Sequence, residues 1–240
     1  MDTDGGMLRI RGLVAGYEDA GSVLEGIDLE VAAGESVALM GRNGMGKTTL
    51  LRAIMGLLRP TAGEVVLDGV ALTGRPPFEI SNAGIAYVPQ GREIFRDFTV
   101  EENLRLGLLG KHGMATRVPD AIYARFPILA ERRWQRAETM SGGEQQQLAI
   151  ARAVVGRPRL LLLDEPSEGI QPSLVESIAT TVSAISREDG TSVLLVEQNL
   201  DLVLALTTRC LFIDNGRIVD ATESARLRDE RGLLDRYLTV

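Results

Sequence analysis

Three short segments of the chain carry residue types and spacings suited to holding and cleaving a polyphosphate. Gly41-Arg42-Asn43-Gly44-Met45-Gly46-Lys47-Thr48 has the form Gly-x4-Gly-Lys-[Ser/Thr]. Its glycines let backbone N–H groups close around phosphate oxygens, and its lysine adds a point charge. Thr48 offers a hydroxyl to Mg2+, and Thr49 continues the phosphate-facing turn into a helix expected to run to Leu57. Much later, Leu160-Leu161-Leu162-Leu163 leads into Asp164 and Glu165. An aspartate delivered this way reaches the metal through water, and a carboxylate one residue beyond it can act as general base towards the attacking water. Between them lies Ser141-Gly142-Gly143-Glu144-Gln145, which opens a helix and presents N–H groups and a hydroxyl to an anion. The chain's own loop already holds the phosphates. The run is therefore expected to complete the site of a second subunit, a copy or a paralogue.

These groups need strands to deliver them. Ser36 to Met40, Ile85 to Val88, Leu160 to Leu163, Ser192 to Val196 and Cys210 to Ile213 are continuously apolar, the pattern of parallel strands covered on both faces. Leu8 to Arg11, Val23 to Val31 and Glu64 to Leu67 alternate and are broken by glycine-containing turns, which suits an antiparallel sheet. From 91 to 140 helical patterns punctuated by Pro119 and Pro127 replace the strand signals. The expected fold is an α/β P-loop NTPase core with a mainly parallel sheet, an antiparallel β subdomain and an inserted helical subdomain, all in one domain over 1–240. Residues 1–6 read as a loose leader, with Met7 as an alternative start.

Composition narrows the setting. A chain of 240 residues with 45% hydrophobic content can bury a large α/β core. Its net charge of −7, without a long block of like charges, points away from nucleic acid. No run approaches the roughly 20 apolar residues that span a bilayer, and the acidic start lacks the basic character of a secretory signal. Cys210 lies in an apolar run, where it reads as a small buried hydrophobe.

With these elements in this order, the chain resembles the nucleotide-binding subunit of ATP-binding-cassette transporters along almost its whole length. The resemblance implies that Tyr17 stacks on adenine, that Gln90 senses Mg2+ and the attacking water, and that Ser141, Gly142 and Gly143 reach the γ-phosphate held by a partner. Two positions depart from the wider superfamily. Gln198 stands at a switch position usually occupied by histidine, and Gln171 where an aspartate often crosses the dimer interface. The only histidine is His112, inside the helical insert. Glutamine donates a hydrogen bond to a phosphate but does not become cationic. The two composite sites of such a dimer are then expected to be unequal.

Pro89-Gln90-Gly91-Arg92-Glu93-Ile94-Phe95 and Asp164-Glu165-Pro166-Ser167-Glu168-Gly169-Ile170-Gln171-Pro172 look like the second ATPase of branched-chain amino-acid importers, and still more like its urea or short-amide relative. A glutamine at the switch position is familiar there. That family implies two integral-membrane permease subunits, a second non-identical ATPase, an extracytoplasmic solute-binding protein, and a peripheral place on the cytoplasmic face of the membrane. A homodimer in isolation stays possible. Residues around Gln90 and the insert through Trp134 are expected to form the groove for a permease helix, because an aromatic beside Arg132, Arg133 and Arg136 suits an interface. The competing reading buries Trp134 in the core of the insert. A soluble cassette ATPase of DNA repair or translation is the rival from another class, but those proteins usually carry two cassettes or a long coiled coil. A P-loop kinase would have no use for Ser141 to Gln145.

Overall fold

The computed structural model describes residues 7–18, 21–109, 117–229 and 231–238; the leader 1–6 and His112 lie outside them. A six-stranded sheet forms the centre. In chain order its strands are β3 (Ser36–Met40), β6 (Ile85–Val88), β7 (Leu160–Asp164), β8 (Ser192–Val196), β9 (Arg209–Asp214) and β10 (Arg217–Glu223). They lie in the order β10-β9-β3-β8-β7-β6, and all adjacent pairs are parallel except β9 with β10.

β3, β7 and β8 are buried at every position. Successive side chains point to opposite faces, and each face has its own core. Leu161, Leu163, Val193 and Leu195 pack on one face against α6 (Gly142–Val154) and α7 (Pro172–Asp189). Leu160, Leu162, Leu194 and Val196 pack on the other against α1 (Lys47–Ile54) and the second sheet. That second sheet is β1 (Leu8–Tyr17), β2 (Gly21–Val31), β4 (Ala62–Leu67) and β5 (Val70–Ala71), antiparallel in the order β2-β1-β4-β5. Each leucine of β7 removed from water contributes about 1.5–3 kcal/mol. Two covered faces explain why these runs are apolar throughout. Cys210 is buried among them, and burial pushes its thiol up to about 12.

Several elements depart from expectation: β1 runs beyond Arg11 to Tyr17, and β5 is added. The helix after the phosphate loop starts at Lys47 and ends at Ile54, where Gly56 turns the chain away. The edge strand β10 is an addition to the expected set, because alternate residues face solvent and no continuous apolar run marks it. Also in chain order are α2 (Pro77–Ala83), α3 (Val100–Leu106), α4 (Asp120–Arg125), α5 (Pro127–Glu131), α8 (Leu200–Leu206) and α9 (Arg231–Leu238). Among the described residues from 91 to 140 the chain forms α3, α4, α5 and a 3-10 turn at Ala137–Thr139. Pro127 stands in the first turn of α5, where its missing N–H costs nothing.

Candidate functional site

Register brings the chemistry together. Leu39 pairs with Val196 and Asp164 pairs with Val196, so the carboxyl ends of β3, β8 and β7 lie side by side. The loops leaving them begin at Gly41, Glu197 and Glu165. Such a crevice outside the carboxyl ends of parallel strands is where open α/β sheets bind ligands. Here a cleft of about 260 Å³ is lined by Asn43, Gly44, Gly46, Lys47, Thr48, Thr49, Gln90, Glu165 and Glu168.

The N-terminus of α1 faces this cleft without a side-chain cap, and Gly46 precedes it at φ +107°. A residue with a Cβ is strained in that conformation. Lys47 is only 5% exposed. Its ammonium donates to the carbonyls of Gly41 (2.7 Å) and Arg42 (3.0 Å) and stands 3.5 Å from Glu165 Oε1. The loop therefore carries a cation and a helix N-terminus together, both favouring an anion.

Glu165 sits at φ +46°, a left-handed conformation that costs a non-glycine residue roughly 1–2 kcal/mol. Its N–H bonded to Val196 O at 2.8 Å extends the β7–β8 pairing one step beyond the strands. Its two carboxylate oxygens face different amides. Gln198 donates to Oε1 at 3.2 Å, and Gln90 lies 3.4 Å from Oε2. Gln198 also donates to Asn43 Oδ1 at 2.7 Å, and Gln90 to Glu168 Oε2 at 2.9 Å. A continuous chain Asn43–Gln198–Glu165–Gln90–Glu168 thus spans the cleft.

Asp164 is 1% exposed and accepts from Thr48 Oγ1 at 3.1 Å and Tyr87 at 3.0 Å. Burial pushes its carboxyl up, and the Tyr87 and Thr48 hydrogen bonds pull it back towards the ionised form. The Tyr87 hydroxyl is itself raised by burial and by the neighbouring Asp164, so it remains a donor. Hydroxyl and carboxylate oxygens so placed are the hard donors that suit Mg2+.

The other expected residues lie apart from this cleft. Tyr17 is 38% exposed at the end of β1, and hydrogen bonding with it is the largest influence raising the Arg52 guanidinium on α1. Ser141 caps α6 in a reciprocal box: its Oγ accepts from Glu144 N at 3.4 Å, and Glu144 Oε2 accepts from Ser141 N at 2.7 Å. The Ser141 proton stays free to be donated. A Cβ on Gly143 would meet Leu174 Cδ1 of α7 at 2.1 Å, so any side chain there would have to displace Leu174. Gln171 is the exposed residue before α7.

Trp134 requires a correction. It is 72% exposed in a turn after α5, with the Arg133 guanidinium 4.8 Å above its ring, so it does not fill the core of the insert. Nor does it line the apolar groove near Gln90, a space of about 500 Å³ walled by Arg52, Leu57, Tyr87, Phe95, Leu109 and Arg152. Tyr87 and Glu168 are the partners that sequence reasoning missed. Both are ordinary residue types, and the contacts that give them a role bridge 77 and 78 positions of the chain.

Known proteins resemble this chain in sequence and in fold. The family profile described as "ABC transporter" matches residues 24–168. The high-affinity branched-chain amino acid transport ATP-binding protein BraG of Pseudomonas aeruginosa is 42% identical, covering 94% of this chain and 97% of that protein. The probable branched-chain amino acid transport ATP-binding protein LivF of Archaeoglobus fulgidus is 35% identical over 94% and 96%. A dimeric ATP-binding cassette solved in a post-hydrolysis state with ADP and Pi superposes with a TM-score of 0.80 at 25% identity, covering 91% of this chain and 99% of its own.

Proposed function

The chain belongs to the ABC transporter family as an ATP-binding, ATP-hydrolysing cassette of an import system, and from that premise we propose that it powers uptake of branched-chain amino acids. The observation that carries the solute is the pair of relatives that match nearly end to end and whose names specify that transport. Urea or a short-chain amide, which the loops from Pro89 and Asp164 favour, is the second reading.

In the proposed mechanism two cassettes close head to tail on ATP, as the dimeric structural relative carries nucleotide in its post-hydrolysis state. Lys47 and the N–H groups from Gly41 to Thr49 hold the phosphates of one nucleotide, with Arg42, Asn43 and Met45 shaping the loop. The Ser141 hydroxyl and the N–H groups of Gly142 and Gly143 reach its γ-phosphate from the other cassette, and Tyr17 stacks on the adenine. Thr48, Asp164 and Gln90 are the residues to hold Mg2+, which when bound neutralises charge developing on the β- and γ-phosphates. Glu165 takes the proton of the attacking water. Gln90 and Gln198, already bonded to its two oxygens, orient the carboxylate and approach the γ-phosphate.

The groove walled by Leu57, Phe95 and Leu109 is the proposed seat of a permease helix, and Gln90 links it to the cleft. Among the described residues no helix is long and apolar enough to cross a membrane. A peripheral place on the cytoplasmic face, held by two permease subunits and beside a second, non-identical ATPase, follows from the importer reading. The external partner is a solute-binding protein.

Tagging the chain in its native cell and identifying by mass spectrometry what co-purifies in mild detergent tests this reading. Two membrane proteins, a second cassette and a binding protein that takes leucine are expected. A binding protein that takes urea instead selects the second solute, and recovery with ribosomes or repair proteins overturns import. Tyr87→Phe removes the donor that orients Asp164, so the Mg2+ concentration for half-maximal ATPase should rise on the order of tenfold, as for other outer-sphere partners of metal ligands. Titrating free Mg2+ at fixed ATP checks this. An unchanged midpoint would remove Tyr87 from the metal site.

A further inference from the structure

Glu197 is 3% exposed, and all four groups donating to its carboxylate are neutral. Oε1 accepts the Ser167 N–H at 2.9 Å and the Ser167 hydroxyl. Oε2 accepts the N–H groups of Gln198 at 2.7 Å and Asn199 at 2.8 Å. The residue's own N–H donates to Leu39 O at 3.3 Å, one residue before β3 ends. Glu197 is therefore a junction of three neighbouring strand ends: the one leading to the phosphate loop, the one leading to Glu165, and its own.

Burying a carboxylate without a cation is costly, and apolar residues usually serve stability as well. The placement makes sense as geometry. Ser167 lies two residues beyond Glu165, and Gln198 directly follows Glu197. Pinning both to one rigid carboxylate fixes the distance across which the Gln198 amide meets Glu165 Oε1 at 3.2 Å. A glutamine at 197 would be a poor replacement, since its NH2 would turn a donor towards donors.

We propose that Glu197 is a positioning residue for ATP hydrolysis: its buried carboxylate clamps the Ser167 turn to the Gln198 turn and so holds Gln198 against Glu165. It acts through the Ser167 and Gln198 turns that its carboxylate holds. This inference rests on the reading of Gln198 as a γ-phosphate contact.

The test is a double-mutant cycle in the purified complex, with kcat and KM for ATP measured for wild type, Glu197→Gln, Gln198→Ala and the double variant. Glu197→Gln is expected to lower kcat about tenfold with less than a twofold change in KM. In the Gln198→Ala background the same change is expected to cost less than twofold, because the group it positions is gone. Equal loss in both backgrounds would show a general structural role and overturn the proposal. Gln198→Ala alone measures the underlying reading, and full activity there fails that reading first. Ser167→Ala keeps its backbone donor and loses only the hydroxyl. If Glu197→Gln fails to fold, the cycle run with Ser167→Ala replaces it, with coupling to Gln198 again expected and additivity again fatal.

Discussion

Glu165→Gln is expected to leave ATP binding intact and to reduce steady-state turnover by at least about 100-fold, the lower range of what a positioned general base supplies. Glutamine keeps the shape but only one of the two acceptor oxygens that Gln90 and Gln198 donate to, and it cannot accept the proton of water at neutral pH. Lys47 at 3.5 Å would also lose a carboxylate neighbour, so the phosphates compete less for its charge. Retained ATP, measured by filter binding, should therefore be equal or greater while phosphate release falls. Should the variant turn over ATP at the wild-type rate, Glu165 is not the base, and the strained backbone at this position would need another reason.

Lys47→Ala is expected to weaken ATP binding by about 10- to 100-fold, the effect of losing one charge-assisted hydrogen bond worth roughly 1.5–3 kcal/mol. The side chain now bonds to two carbonyls of its own loop, at 2.7 and 3.0 Å. Removing it also leaves those acceptors without their buried donor. Nucleotide titration followed by fluorescence gives the affinity, and thermal unfolding gives the second effect, expected as a modest loss of stability. Unaltered affinity together with full activity would contradict the assignment of this loop.

Much of the cleft is legible in the amino-acid sequence because its chemistry is written in contiguous residues. Gly41 to Thr48 shapes its loop by local backbone freedom, with Gly44 and Gly46 at positive φ, and Asp164 with Glu165 are neighbours at one strand end. The covered strands are legible for a similar reason. Burial on both faces demands apolar side chains at every position, and β3, β6 and β8 run between the residues expected. β10 is not legible in this way, since alternate residues meet solvent and no continuous apolar run marks it. Trp134 stays open in the sequence because an aromatic among arginines looks the same in a core and at an exposed surface; its 72% exposure removes the core reading.

The sequence by itself determined the nucleotide chemistry, the layered α/β class and the identity of the residues at each strand end. Those depend on local spacing and on which side chains tolerate burial. Only the tertiary structure decided which strand ends are neighbours, and with them the contacts of Gln198 with Asn43 and Glu165, of Tyr87 with Asp164, and of Glu197 with Ser167. Sheet order is a property of how whole strands pack across two cores. No residue carries it in its own neighbourhood of the chain.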